Sequence, residues 1–129
     1  MLKIYWFRKD LRTEDNTALS EFCRSAKEAD KVSFIYIKNT NSFGYFGEKR
    51  IRFLFQCLSS LNETLRANGF SLQIFNGRSS DVFEEIFLKQ GPAEVWYNRQ
   101  VEPYCISRDG NVRKLAEQTG GRIFEFDDT

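Results

Sequence analysis

The stretch YWFRKDLRTEDNTAL, residues 5–19, passes abruptly from aromatic to charged residues. Its first three residues, YWF, are typical of the end of a buried strand. Three cations and three anions follow within the next eight positions: Arg8, Lys9, Asp10, Arg12, Glu14 and Asp15. This pattern fits a solvated loop, and it equally fits a site that holds a polar ligand against a sheet.

Five short apolar runs, of which this stretch contains the first, are spaced along the chain. Their aromatic and β-branched residues predict strands. The runs are Leu2 to Phe7, Val32 to Ile37, Ser71 to Phe75, Glu94 to Asn98 and Arg122 to Phe126.

The segments between these runs show the spacing of amphipathic helices. Their apolar stripes are Ala18, Leu19, Phe22, Cys23 and Ala26; Ile51, Leu54, Phe55, Leu58, Leu61 and Leu65; Val82, Phe83, Ile86 and Phe87; and Val112, Leu115 and Ala116. Asn68-Gly69 is expected to end the second helix, and Asp81 with Glu84 is spaced like a capping box. The alternation predicts an α/β fold, a doubly wound, Rossmann-like parallel sheet of five strands in the order 3-2-1-4-5 with helices on both faces.

Composition indicates one globular domain over residues 1–129. Nineteen basic and eighteen acidic residues give a net charge of +1, without the basic excess of a chain that grips nucleic acid alone. Three widely separated cysteines indicate reduced thiols and a cytoplasmic protein, and Cys23 and Cys57 fall on helical stripes as core residues. No apolar run is long enough to span a membrane, and we expect a monomer.

The fold predicts where a ligand would bind. In this strand order the chain reverses direction between strands 1 and 4, and ligands lie outside the carboxyl ends of the strands at that point. The loops that meet there are RKDLRTEDN, residues 8–16, and NRQVEPY, residues 98–104. Both are polar, so a ligand site and a pair of self-contained solvated loops remain equal alternatives.

Several chemistries are excluded by the residues present. The chain has no histidine, which excludes histidine-dependent triads and metal sites. It has no G-x-G-x-x-G after the first strand and no P-loop, and residues 44–47, GYFG, are expected to form a turn. No pair of carboxylates stands out as acid and base, so no catalytic residue is predicted.

Two segments carry a resemblance to a known family. The segment from Trp6 to Leu19 resembles the opening signature of the DNA photolyase and cryptochrome family, W-F-R-x-D-L-R-x-x-D-N-x-A-L. The segment NRQVEPY followed by Arg108-Asp109 resembles its N-x-x-x-E-P-Y…R-D motif, and Arg50 with the leucine series resembles its second helix. Phe126-Asp127-Asp128 resembles the close of its first domain.

The resemblance implies an N-terminal α/β domain that holds an antenna chromophore beside a helical domain, absent from this chain, that binds FAD and damaged DNA. The parent enzyme would use light and reduced FAD to split pyrimidine dimers, and this chain alone would be inactive. The antenna is expected to be of deazaflavin, FMN or folate type. Alternatives are a cryptochrome-type blue-light receptor domain and a free-standing nucleotide-binding module like those of electron-transfer flavoproteins and universal stress proteins.

Candidate cofactor-binding residues come from both loops and the second helix: Arg8, Asp10, Arg12, Arg50, Asn98, Gln100 and Glu102. Asp10 is expected to pair with the arginines and with backbone N–H groups to organise its loop. Asp15 and Asn16 are expected to cap the first helix. An aromatic slot for a planar ring would be lined by Phe34, Tyr36, Phe43, Tyr45 and Phe46.

Overall fold

A computed structural model describes residues 1–27, 30–38 and 47–127. Within these ranges strands and helices alternate from the first element to the last. They are β1 Leu2–Phe7, α1 Thr17–Ser25, β2 Lys31–Lys38, α2 Glu48–Ala67, β3 Leu72–Asn76, α3 Ser79–Gln90, β4 Ala93–Asn98, α4 Pro103–Gln118 and β5 Arg122–Phe126. All five predicted strands are therefore confirmed, three of them with ends shifted by one residue.

The five strands form one sheet in the order β3-β2-β1-β4-β5, and every pairing is parallel. This confirms the predicted topology. All six residues of β1 are buried, as expected for a central strand covered on both faces.

Successive residues of β1 point to opposite faces of the sheet, and each face has its own core. On one face Tyr5 and Phe7 pack with Phe22 of α1 and with Leu61 and Leu65 of α2. On the other, Trp6 packs in a cluster with residues of α3 and α4 that include Phe83 and Val112. Helices thus cover both faces, as predicted.

At two positions the backbone explains why the residue is a glycine. Gly69 follows α2 at φ +87°, in the left-handed region that glycine adopts without strain, which confirms the predicted end of that helix. Gly121 comes just before β5, where a Cβ would lie 2.3 Å from the carbonyl oxygen of Ala93. Only glycine allows the chain to approach β4 so closely.

Three details differ from the sequence-based expectations. Cys23 is exposed on the outer face of α1, so its assignment to the core is wrong, while Cys57 is half-buried. Phe55 of the second stripe is 44% exposed. The capping box is also wrong: α3 begins at Ser79, so Asp81 lies inside its first turn, and the N-cap Arg78 makes no side-chain capping bond.

Within the described ranges, no helix has the length and apolar character needed to cross a lipid bilayer.

The leucine face of α2 yields a stability prediction. Leu58 and Leu61 are buried, with 3% and 4% of their surface exposed. Replacing Leu61 with Ala should lower the free energy of unfolding by about 2–5 kcal/mol, because a cavity forms against the sheet. Chemical denaturation measures this, with Ser59→Ala on the exposed side of α2 as the control, expected to change stability by about 0.5 kcal/mol or less. Equal effects of the two substitutions would contradict the assigned face.

Candidate functional site

The loops after β1 and β4 meet at the carboxyl edge of the sheet, as the topology predicts. β1 and β4 are adjacent and parallel, paired from Leu2 with Ala93 to Tyr5 with Trp96. Arg8 follows β1 directly, and Asn98 is the last residue of β4. Both side chains are buried, and two hydrogen-bonded networks begin from them.

The first, called here the amide network, consists of Tyr5, Asp10, Asn16 and Asn98. The Asn98 Nδ2 donates to Asp10 Oδ2 at 2.6 Å and to Asn16 Oδ1 at 2.7 Å. The Tyr5 hydroxyl donates to Asn16 Oδ1 at 2.9 Å and approaches Asp10 Oδ2 at 3.2 Å. The network joins β1, its loop, the start of α1 and the end of β4 on one face of the sheet.

The amide network also caps α1. Asn16 is the N-cap, and its Oδ1 accepts from the backbone N–H of Leu19 at 3.1 Å. The Asn98 Oδ1 accepts from the backbone N–H of Ala18 at 3.0 Å. The predicted capping role of Asn16 is thus confirmed, whereas the described contact of Asp15 is different: its carbonyl oxygen accepts from Arg12.

Asp10 organises its loop, and of its expected partners the backbone N–H is confirmed while the arginine side chain is not. Its Oδ1 accepts from the backbone N–H of Arg8 at 3.0 Å, and its Oδ2 accepts from Asn98. The expected pairing with an arginine side chain is wrong among the residues described. The guanidinium of Arg8 lies beside Asp109 instead.

The second, called here the arginine network, consists of Arg8, Gln100, Arg108 and Asp109. The Arg8 Nη1 lies 2.5 Å from Asp109 Oδ1, and its Nη2 donates to the backbone oxygen of Asn98. The Arg108 Nε donates to the same Asp109 oxygen at 3.1 Å, and its Nη2 donates to Gln100 Oε1 at 2.6 Å. This network joins β1, β4 and α4 on the opposite face.

Aromatic rings surround the buried cation of the arginine network. The Arg8 guanidinium carbon lies 4.1 Å from the ring centre of Tyr97 and 4.8 Å from that of Trp6. Arg108 lies 5.0 Å from the Trp6 ring. The Arg8 Nε is buried without a hydrogen-bond partner among the described residues, and these cation–π contacts offset part of that cost.

An exposed ion pair joins the two loops outside these networks. The Lys9 Nζ lies 3.0 Å from Glu102 Oε1. The pKa of Glu102 is held below its ordinary value, first by a hydrogen bond from its own backbone N–H and then by Lys9. Glu102 is the N-cap of α4, although its side chain makes no capping hydrogen bond to that helix.

The remaining candidates lie outside both networks. Arg12 is exposed, and its Nε and Nη2 donate to the Asp15 carbonyl oxygen. Arg50 lies in the first turn of α2 with an exposed side chain. Of the proposed aromatic slot, Phe34 belongs to the core and Tyr36 is half-buried. The other members, Phe43, Tyr45 and Phe46, and the expected turn at residues 44–47 lie wholly or partly outside the described residues.

Two of the surface cavities that the described residues form lie at opposite edges of the sheet. One of about 390 Å³ is at the carboxyl edge, lined by Arg99, Gln100, Val101, Ile106, Asp109, Gly110, Arg113 and Glu125. One of about 470 Å³ is at the amino edge of β2 and β3, with Phe34, Phe70 and Arg66 among its lining residues. The amino-edge cavity is the larger of these two, but only the carboxyl-edge cavity is lined by a residue predicted to bind a ligand, Gln100.

Sequence reasoning missed Tyr5, Arg108 and Asp109 as site residues. A signal for Asp109 was present, since it precedes Val112 by three positions and therefore lies on the buried face of α4. A buried carboxylate requires a cation or several donors. Of the two aromatic partners of Arg8, Trp6 could have been found from strand alternation, since it lies two positions before Arg8, whereas Tyr97 had no local signal.

The fold and site define a doubly wound α/β domain whose two switch-point loops are fixed by side chains and not by a glycine-rich phosphate loop. The family model described as DNA photolyase matches residues 3–129. The chain belongs to the DNA photolyase family. This membership replaces the alternative of a free-standing nucleotide-binding module.

Curated relatives are much longer than this chain. Cryptochrome-1 of Erithacus rubecula and Cryptochrome-1 of Gallus gallus are each 37% identical over 122 residues, a match that covers 93% of this chain and 19% of the relative. The chain thus spans about a fifth of the length of these relatives.

Solved structures of the family share the fold. An archaeal photolyase from Sulfolobus tokodaii, solved with two FAD molecules and discussed as implicating a novel light-harvesting cofactor, is 31% identical with a TM-score of 0.84. The match covers 98% of this chain and 29% of that one. A cryptochrome from Synechocystis sp. PCC6803 is 25% identical with a TM-score of 0.86, covering 98% and 27% of the two chains.

The amide network yields a prediction about Asn98. Replacing it with Ala leaves the Ala18 N–H, Asp10 and the Tyr5 hydroxyl with fewer partners. Because these groups are wholly or partly buried, the free energy of unfolding should fall by about 1–3 kcal/mol or more. Urea denaturation is the measurement, and exposed Asn111→Ala on α4 is the control. A loss for Asn98→Ala no greater than for the control would show that the network does not stabilise the fold.

Tyr5 yields a prediction about alkaline pH. Burial raises the pKa of Tyr5 well above its ordinary value, and the charge of Asp10 raises it further. Unfolded Tyr5 ionises near pH 10, while the folded form stays neutral. Its contribution to stability is therefore complete below pH 10 and is lost as the pH rises toward the higher folded pKa.

The unfolding free energy of the wild type should fall with pH above about 10, and Tyr5→Phe should remove about 1.4 kcal/mol per pH unit from that slope. Tyr97, whose pKa is also raised by burial, accounts for part of the remaining slope. Exposed Tyr104→Phe is the control and should leave the slope unchanged. Identical slopes for all three proteins between pH 10 and 11.5 would exclude a buried neutral Tyr5.

Proposed function

We propose that this chain is the N-terminal antenna-chromophore-binding domain of a deoxyribodipyrimidine photolyase. The parent protein would use light and reduced FAD to split pyrimidine dimers in DNA. FAD and damaged DNA would bind to a helical domain that is the partner of this domain. No catalytic residue is proposed on this chain, so its role would be to hold the antenna beside that domain.

The observation that carries the proposal is the convergence of the two family signature segments at the switch point of the sheet. Ligands of doubly wound folds bind at that place. Here the Asp10–Asn98 hydrogen bond of 2.6 Å and the Lys9–Glu102 pair of 3.0 Å hold the two loops against each other. A site built in this way is pre-organised for a rigid ligand.

The architecture favours a ring over a phosphate as the recognised group. In dinucleotide-binding folds a pyrophosphate lies at the N-terminus of the first helix. In this chain Asn16 and Asn98 accept from the N–H groups of α1, and Glu102 places a carboxylate at the N-terminus of α4. A flavin-type antenna, of FMN or deazaflavin type, fits this site better than a nucleotide held by its phosphates.

The seven candidate residues would then have two roles. Arg8, Asp10 and Asn98 hold the loops through the two networks, and Arg12 holds its own loop through Asp15. We assign ligand contact to the half-buried Gln100, which lines the carboxyl-edge cavity, and to the exposed Glu102 and Arg50, which lie at the N-terminal ends of α4 and α2.

A second candidate function, a cryptochrome-type blue-light receptor domain, fits the relatives equally well but no better. Identity to Cryptochrome-1 of Erithacus rubecula is 37%, whereas among solved structures the Sulfolobus tokodaii photolyase is 31% identical and the Synechocystis cryptochrome 25%. Both functions require the same α/β domain, and repair of damaged DNA by the parent protein would separate them.

Titration of the chain with FMN, with a deazaflavin and with methenyltetrahydrofolate tests the antenna role. A ring that binds the folded state should raise the thermal midpoint, corresponding to about 2.7 kcal/mol when the free ligand is at 100 times Kd. Arg50→Ala should reduce this response. The matched control is Arg66→Ala, which removes an exposed arginine at the other end of α2.

A midpoint that no ring changes would contradict the proposed function. A ring that stabilises Arg50→Ala as strongly as Arg66→Ala would remove Arg50 from the site while leaving the function in place.

A further inference from the structure

The side-chain amide of Gln100 has a defined orientation. Arg108 Nη2 donates to Gln100 Oε1 at 2.6 Å. A guanidinium has five N–H donors and no acceptor, so the amide oxygen, and not the amide nitrogen, must face Arg108. The Nε2 of Gln100 therefore points away from Arg108 with two hydrogens to donate.

Two further contacts hold the Arg108 guanidinium in place, and with it the orientation of the Gln100 amide. The Arg108 Nε donates to Asp109 Oδ1 at 3.1 Å, and its guanidinium lies 5.0 Å from the ring centre of Trp6. Asp109 is in turn held by Arg8 at 2.5 Å. The contacts within the arginine network thus fix the orientation of the Gln100 amide, which lies at the surface end of that network.

Gln100 lines the carboxyl-edge cavity of about 390 Å³. Val101 and Ile106 are apolar lining residues, and the Gly110 position is open, since a Cβ there would meet no atom within 4 Å. Such a space suits one face or edge of a planar ring.

One oxygen of each carboxylate that lines this cavity is engaged by neighbouring donors. Asp109 Oδ1 accepts from two arginines. Glu125 Oε2 accepts from the Tyr97 hydroxyl at 3.0 Å and lies 3.5 Å from Arg113. Two arginines, Arg99 and Arg113, line the cavity together with Gln100, so the lining carries donors for a ligand carbonyl.

We infer that Gln100 is a specificity-determining residue that donates from Nε2 to a carbonyl oxygen on the edge of a ring ligand. This inference rests on the proposed function, because it concerns the ring bound at the same loops. The ligand class is a planar heterocycle with a carbonyl edge, such as the dione edge of a flavin. A carboxylate at position 100 would offer only acceptors and would reverse the preference.

Riboflavin binding to the wild type, Gln100→Glu and Gln118→Glu tests whether position 100 donates a hydrogen bond to the ligand. In Gln100→Glu one carboxylate oxygen replaces the amide oxygen on Arg108, and the other places an acceptor against the ligand carbonyl. Fluorescence titration should show Kd raised at least about tenfold for Gln100→Glu, since a ligand acceptor would lose its donor. Gln118→Glu adds the same charge at the far end of α4 and should leave Kd unchanged.

The orientation of the amide has its own readout, independent of flavin binding. In ¹H–¹⁵N spectra the Gln100 side-chain amide signals should shift in Arg108→Met and stay in place in Lys114→Met, which removes an exposed cation from the same helix. The same wild-type signals should also shift on titration with uracil, a minimal dione probe.

The outcomes separate the two proposals. Riboflavin binding that is equally tight in wild type and Gln100→Glu would overturn the role of Gln100 and leave the antenna function in place. Failure of FMN, riboflavin, the deazaflavin and the folate to bind the wild type would overturn the antenna function, and the uracil titration would then decide whether Gln100 donates to a carbonyl. Gln100 signals that respond neither to Arg108→Met nor to uracil would overturn the inference.

Discussion

The need to satisfy one buried cation organises the carboxyl edge of this domain. Arg8 follows the central strand, and its side chain is only 4% exposed. A guanidinium in that position is stable only with a counter-ion and hydrogen-bond acceptors. Asp109 of α4 supplies the charge, the Asn98 carbonyl supplies an acceptor, and Trp6 and Tyr97 supply the ring faces. Because these groups come from β1, β4 and α4, satisfying Arg8 fixes all three elements relative to one another.

The charged residues that follow β1 therefore make contacts on opposite faces of the sheet. Trp6 and Arg8 are two positions apart and lie on the α4 side, as alternation along a strand requires. Asp10 returns to Tyr5 and the start of α1 on the other side. The mixed charges are thus mainly structural, and they hold the two loops at the switch point in a form to which a ligand can bind.

The fold was predictable from the sequence because its signals are local. Strand and helix periods, the Asn68-Gly69 helix end and the alternation of elements are each read within a few residues. Together they predict a parallel sheet covered by helices, and the strand order follows from the doubly wound class. The site was predictable only in part. The position of the site at the switch point followed from the topology. The partner of Arg8 could not be predicted from local signals, because Asp109 lies 101 residues away along the chain.

The mistaken pairing of Asp10 with an arginine has the same physical origin. Neighbouring opposite charges in sequence suggest a local ion pair, but Arg8 continues the α4 face of β1. The chain leaves the strand after Phe7, and Asp10 then accepts from the Arg8 backbone N–H and from Asn98 on the other side. Cys23 shows the corresponding limit for helices. α1 runs only from Thr17 to Ser25, and so short a helix buries a narrow stripe that Cys23 does not reach.

A double-mutant cycle on Arg8→Met and Asp109→Leu, measured by chemical denaturation, tests the central claim most directly. If charge pairing across the switch point holds these elements together, each single substitution should cost about 3–5 kcal/mol, since it leaves the other charge buried without its partner. The double variant should then lose less than the sum of the two, because the buried Arg8 charge and its counter-ion are removed together and only Arg108, which keeps its bond to Gln100, loses a partner. Strictly additive losses would show that the pair does not couple β1 to α4 and would contradict the account.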